Sequence, residues 1–438
     1  MMTTNTQKPA LPLEITDAVI DHLHSDISAL GACSVVCSDW LVRSRHHIFS
    51  TVQLWPWRVR RFFELASSAG CTFKNHVHHI ELDDAKSKNG RSQPLQTTPA
   101  ASPDDAPKND SENNVIFIDA MSKSDLPCLA HVRSIQVRNV NWTSLTPHDQ
   151  ATLRSRLAKF TKLERLEFHD VVFHDLREVV RIVHLFPAIV HLTANLTFMK
   201  YLEHNIDCAS RLKMPNQLRS LELGTDDGIP VVLTCVESGH STPHVFGLKL
   251  HNIRPHHLHH IRRVLRHSGK NIQKLTLAFE RAEFIRGSQD SLVNAIDLSR
   301  LSQLKVLAIA GLGLSKTSSP HTLESAIPHI LEGIESSCLD TIELQFHIDA
   351  DTHESLDLLD WPHLEKVLLA LHFFGLGQVR VLLDKVRSNR DNELVDPTLV
   401  GDRIRACLPE LNRRGVLYLQ QVEAGGTDEL IEFEGEEK

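Results

Sequence analysis

A short apolar frame, apolar-x-x-apolar-x-apolar, recurs along most of this 438-residue chain and limits what it can fold into more than any other feature. It reads Val77/Ile80/Leu82, Val132/Ile135/Val137, Leu163/Leu166/Phe168, Leu218/Leu221/Leu223 and Val245/Leu248/Leu250. It continues as Ile272/Leu275/Leu277, Leu304/Leu307/Ile309, Leu339/Ile342/Leu344 and Leu364/Val367/Leu369. Ile189/Leu192/Ala194 is a weaker copy, and Leu417/Leu419 reads as a terminal one. From Leu166 to Leu275 the central residues step by 26, 29, 27 and 27 positions, and the later steps are 32, 35 and 25. The alternation that closes each frame is that of a short strand with one face buried.

Helical spacing fills the intervals. Leu176, Val179, Val180 and Val183 form one apolar stripe. Leu258, Ile261, Val264 and Leu265 form a second, and Leu323, Ile327, Ile330, Leu331 and Ile334 a third. Phe186-Pro187, Met214-Pro215 and Trp361-Pro362 read as helix stops before the next strand, because the residue before a proline avoids the helical region. A strand and a helix in each unit of about 30 residues resembles the leucine-rich-repeat family. That resemblance implies an α/β solenoid with a parallel strand face over residues 51–422. The Asn or Cys that the family carries three places after the frame is absent: Val171, Asp226, Ile253, Glu280, Leu312 and His347 stand there. Regular horseshoe curvature is therefore not expected, whereas stacking is. The residues between the frame positions, such as Glu167, Arg219, Lys249 and Lys274, are expected to face outward.

Ahead of the repeats, residues 11–50 follow a different pattern. Pro12 suits the first turn of a helix, where a missing N–H does no harm. Ile15, Val19 and Leu23 follow at i, i+4 and i+8 as one stripe, with Ile20 off it. Asp26 or Ser28 can cap a second helix. Its apolar face would be Leu30, Cys33, Cys37, Trp40 and Leu41, with Val36 beside it. Ser38 opens a third turn or helix towards Ile48 and Phe49. Three helices in about 40 residues cannot enclose this many apolar side chains alone.

These residues resemble an F-box of fungal type: Leu11-Pro12-x-Glu14-Ile15, then Ile20, Leu23 and Leu30, then Val36-Cys37 and Trp40, continued by Arg45-His46-His47-Ile48-Phe49. The resemblance implies a non-catalytic substrate receptor of a Skp-cullin-F-box ubiquitin ligase. The N-terminal helices would bind a Skp-type adaptor, and through it a cullin, and the repeats would hold a target protein of unknown identity. Leu11, Pro12, Glu14, Ile15, Ile20, Leu23, Leu30, Val36, Cys37 and Trp40 would be divided between the small core and the adaptor contact, a division the sequence leaves open. The alternative is a non-ligase interaction scaffold whose N-terminal helices cap the repeats, since terminal repeats need caps.

Charge and composition exclude several other classes. The tail 423–438 has seven carboxylates against one lysine, so it carries six of the eight excess negative charges. The nearly neutral remainder is poorly suited to collecting phosphates, and nucleic acid is not an expected partner. The most apolar run, Val367 to Gly377, is about half the length of a membrane-spanning helix, and no membrane partner is expected. Residues 1–10 read as a disordered lead without a signal core, 84–114 as a disordered insertion poor in large apolar side chains, and 423–438 as a disordered tail. Eight scattered cysteines suggest reduced thiols and a cytoplasmic or nuclear location.

No cofactor or metal is expected. His256 and His260, at i and i+4, are the best-spaced pair of ligands, but no cysteine or carboxylate stands close in sequence to complete a site. His76 and His78 share one face of an expected strand, and Cys33 and Cys37 share one apolar helix face. All read as packing or as solvated surface. Gly375-Leu-Gly377 lacks the strand, third glycine and helix of a dinucleotide loop. No phosphate loop, zinc-protease helix or nucleophile elbow appears, so the chain reads as non-catalytic.

Overall fold

The structure is a computed structural model. It describes residues 12–83, 129, 131–200, 206, 209, 211–238, 244–280, 289–314, 323–348, 359–370, 375–385 and 397–422. Leu11, the lead before it, the 84–114 segment and the acidic tail lie outside these. The described residues form twelve strands and thirteen α-helices, an α/β repeat fold behind an N-terminal helical segment.

The chain divides into two compact units, Met1–His174 with Arg181–Ile189, and Asp175–Val180 with Val190–Lys438. The first unit opens with α1 (Leu13–His22), α2 (Ile27–Cys33) and α3 (Ser38–Ser50), followed by β1 (Thr51–Leu54) and α4 (Pro56–Ser67). Then come β2 (His79–Asp83), β3 (Ser134–Arg138), α5 (Pro147–Leu157) and β4 (Arg165–Phe173). Its strands are parallel and lie in chain order, so each frame stacks on the one before. Val52, Ile80, Ile135 and Leu166 pair into one row, and Leu54, Leu82, Val137 and Phe168 into the next. Between these rows lies a polar one, Gln53, Glu81, Gln136 and Glu167.

After α6 (Leu176–Val183), the second unit repeats the scheme with β5 (His191–Phe198), β6 (Ser220–Leu223), α7 (Gly228–Ser238) and β7 (Gly247–Ile253). It continues with α8 (Leu258–Ser268), β8 (Lys274–Phe279), α9 (Gln289–Ala295), β9 (Val306–Leu314) and α10 (Leu323–Glu332). The last elements are β10 (Thr341–Ile348), α11 (Trp361–Leu368), β11 (Gln378–Lys385), α12 (Pro397–Cys407), α13 (Pro409–Arg413) and β12 (Leu417–Val422). One row of paired residues runs Leu192, Leu221, Leu248, Leu275, Leu307, Ile342, Val379 and Leu417. The next runs Ala194, Leu223, Leu250, Leu277, Ile309, Leu344, Val381 and Leu419. From Leu192 to Val379 and from Ala194 to Val381 these rows are buried, each fully buried leucine stabilising by about 1.5–3 kcal/mol.

One expected strand is a helix. Leu364 and Val367 lie in α11, and the strand of that repeat is β11, with Val379 and Val381 in the frame rows. Trp361-Pro362 opens the helix instead of ending one. Asp360 caps it by accepting the His363 N–H at 3.0 Å, and proline occupies the first turn, where it costs no hydrogen bond. Trp361, Leu364, Val367 and Leu368 are buried at helical spacing, which satisfies the frame's first interval equally well.

A turn device also recurs. Asn139, Asp170, Asn252 and Gly311 all have positive φ, between 52° and 79°, and each stands two places after a frame's last residue. The polar residue absent from the family's position is thus found one place earlier in three repeats. Asn139 Nδ2 donates to Asp83 Oδ1 (3.0 Å) and Asn252 Nδ2 to the Gly224 carbonyl (2.9 Å), both in the preceding repeat. Gly311 sits where the β9–β10 register shifts, and a methyl group there would run into the Phe279 carbonyl.

Candidate functional site

The three N-terminal helices are held at fixed positions by a few contacts. Asp21 of α1 accepts from Arg43 Nε and Nη2 of α3, both at 2.6 Å, and lies 2.7 Å from His47 Nε2. The Arg43 hydrogen bonds, followed by that of His47, hold its carboxyl well below the usual range. Both partners are more than a third exposed, so the pair contributes about 1 kcal/mol at most. Asp26 caps α2 by accepting the Ala29 N–H at 2.9 Å, as its position in the sequence implies. Ile20 and Leu30 are fully buried, and Phe49 of α3 stacks on Phe73 with ring centroids 4.7 Å apart.

What this small core leaves outside is large. Nine large apolar side chains stand half or more exposed among the described residues, and seven belong to these helices and their connections. They are Leu13, Ile15, Val19, Ile27, Val35, Val36 and Val42, between 50% and 83% exposed. Single exposed leucines are ordinary, but seven large apolar side chains this exposed within about thirty residues are not.

The structure divides the ten F-box positions that the sequence left together. Ile20 and Leu30 belong to the core, Leu23 and Trp40 are half-buried, and Pro12, Glu14, Ile15, Val36 and Cys37 are exposed. Leu11 lies outside the described residues. The off-stripe Ile20 is the inward residue of α1, while Ile15 and Val19 of the stripe face out. The expected second helix is shorter: α2 ends at Cys33, and Cys37 is the exposed N-cap residue of α3, with Trp40 and Leu41 in that helix. Cys33 and Cys37 therefore share no buried face.

A second surface lies on the repeats. In the second unit the row between the frame rows runs Thr193, Glu222, Lys249, Thr276, Ala308, Glu343, Arg380 and Tyr418, of which Ala308 and Glu343 are buried. Glu167, Arg219, Lys249 and Lys274 are all half-buried or exposed, as their place between frame residues implies. Glu222 lies 3.8 Å from Lys249 and 3.2 Å from His251 on the next strand. In the first unit, Glu167 accepts from Gln136 Nε2 at 2.9 Å and lies 3.3 Å from His169. Charges of both signs meet here.

The histidines are not arranged as sequence spacing implied. His256 and His260 do not converge. His260 Nδ1 meets Thr234 Oγ1 at 3.2 Å, and burial pushes its pKa down to about 4. His256 and the buried His257 instead approach Asp226, one repeat earlier, at 2.9 and 3.1 Å. His76 ends a 3₁₀ turn and His78 precedes β2, and both rings meet that of His46. Among the described residues no helix is long and apolar enough to cross a membrane.

No protein-family model matches this chain, and no curated protein matches it. Among solved structures, a Bacteroides fragilis protein is similar at 15% identity, over 70% of this chain and 69% of its own, with a TM-score of 0.34. A chain in the crystal structure of the Rad7 and Elc1 complex in yeast is similar at 11% identity, over 91% of this chain and 86% of its own, with a TM-score of 0.38. Both likenesses are too distant to carry a function across.

Proposed function

We propose that this chain is a non-catalytic substrate receptor of a Skp-cullin-type ubiquitin ligase. α1–α3 bind a Skp-type adaptor, and the repeats hold a target protein. The observation that carries this reading is the outward apolar surface of Leu13, Ile15, Val19, Ile27, Val35, Val36 and Val42 on helices whose own core is already closed around Ile20 and Leu30. A helical cap serving only the repeats would turn its apolar side chains inward. These side chains gain by burial against a second protein, at about 25 cal/mol for each square ångström covered.

Function in this reading is tethering. The adaptor fixes α1–α3 to the cullin scaffold, and a target on the polar strand rows is held near the charged ubiquitin thioester. Its lysines then experience an effective concentration of about millimolar, set by geometry and not by side-chain chemistry. Co-purification of the full chain with a Skp-type adaptor tests the reading. A stoichiometric complex that Leu11→Asp with Pro12→Ala disrupts, without change in the unfolding of the repeats, supports it. Binding that survives those changes overturns the assigned contact.

A further inference from the structure

We propose that His329, Glu332 and His363 form a binding site for a zinc-type divalent cation that ties the helices of two successive repeats together. The placement follows from backbone geometry. His329 and Glu332 stand at i and i+3 in the last turn of α10, so their side chains share one face. His363 lies in the first turn of α11, fixed there by the Asp360 cap and by Pro362. These two helices pack against each other.

Glu332 Oε1 lies 2.8 Å from His363 Nε2, and Glu332 Oε2 lies 3.3 Å from His329 Nδ1. The two imidazole centroids are 5.1 Å apart, and the ligand atoms all lie within 4.8 Å of one another. Ligands of tetrahedral zinc sit about 3.3–3.5 Å from each other, from metal–ligand lengths near 2.0–2.1 Å. Side-chain torsions alone can bring these three groups to that spacing. Two neutral imidazoles and one carboxylate give a net charge of −1, and among the described residues Glu332 pairs with no lysine or arginine. His329 and Glu332 are nearly half exposed, so an ion reaches them without any opening of the fold, and water can complete the coordination. The imidazole-rich set selects a borderline ion over magnesium or calcium.

The other cluster of this type, Asp226 with His256 and His257, is already committed. His257 Nδ1 accepts the Arg254 N–H at 3.0 Å, which leaves the proton on Nε2, the atom that faces Asp226. Ligation through that nitrogen would sacrifice the Arg254 hydrogen bond. The Arg254 guanidinium also lies 2.8 Å from Asp226 Oδ2 and repels an incoming cation. Among the described residues no guanidinium competes for Glu332, and an ion bound there would take the place of the protons between Glu332 and the two imidazoles.

The test uses the full chain, freed of any affinity tag and stripped with chelator. It is titrated with Zn²⁺ by calorimetry and with Co²⁺ by visible absorption. The expected result is one saturable site, with tetrahedral cobalt bands that Zn²⁺ bleaches and Mg²⁺ does not. His363→Ala and Glu332→Gln each weaken that site by about tenfold or more, and His256→Ala leaves it intact. Glu332→Gln keeps the shape of the side chain and serves if His363→Ala fails to fold. Absence of saturable binding overturns the proposal, as does a titration that neither variant changes.

Discussion

Ile15 and Ile20 sit five residues apart on α1, about 140° around the helix, and face opposite surroundings. Ile20 is fully buried between the N-terminal helices, while Ile15 is 52% exposed. Burying a whole isoleucine side chain stabilises by about 1.5–3 kcal/mol, so covering the exposed half of Ile15 is worth about 1–1.5 kcal/mol to a complex. Ile15→Ala is therefore expected to raise the adaptor Kd by about five- to tenfold. It should move the chain's own stability by less than about 0.5 kcal/mol. Ile20→Ala leaves a cavity and is expected to cost the N-terminal helices about 2–5 kcal/mol of stability. Calorimetric titration with purified adaptor and urea unfolding, followed by circular dichroism, measure the two quantities on the same preparations. An Ile15→Ala chain whose helices unfold as badly as those of Ile20→Ala, or a Kd indifferent to Ile15, would show that Ile15 is not a contact residue.

Three further outcomes follow from the repeats. Gly311→Ala meets both the Phe279 carbonyl and a φ of +79°, and is expected to lose at least about 1–2 kcal/mol, measured as a lower urea midpoint. Burial holds His260 neutral to about pH 4 and lowers the pKa of His257, so the unfolded chain binds more protons between pH 6.5 and 4. Stability is thus present above pH 6.5 and falls on acidification, and His260→Gln should flatten the dependence of the unfolding midpoint on pH between 7 and 5. Glu343 is buried on β10, and desolvation raises its pKa against the opposing field of Arg380, so its charged form weakens the fold as pH rises. Glu343→Gln is expected to raise the unfolding midpoint more at pH 7.5 than at pH 4.5, and a constant difference would contradict this.

The frame was legible because parallel stacking places each copy on the one before, which fixes identical spacing at Leu221, Leu248 and Leu275. Leu364 and Val367 were misread because their three-residue interval suits a strand frame and a helix alike. The deciding signal was the Asp360 cap beside Pro362. β1 went unseen because it offers only Val52 and Leu54 of the pattern. The turn residues Asn139, Asp170, Asn252 and Gly311 stand two places after the frame, one place before the position the leucine-rich-repeat pattern points to, so that pattern passes over them. The histidine clusters were invisible to local spacing, because each carboxylate and its partner across the repeat lie about 30 positions apart: Asp226 with His256 and His257, Glu332 with His363. In α1 the sequence showed two apolar faces, and only packing against α3 decided that Ile20 turns inward.

A titration of the full chain with a purified Skp-type adaptor, followed by hydrogen exchange on the N-terminal helices, decides whether α1–α3 are an adaptor-binding surface. The expected result is a one-to-one complex in which amides of residues 13–42 gain protection. A complex that leaves those amides unchanged, or no complex with any Skp-type adaptor, would contradict it.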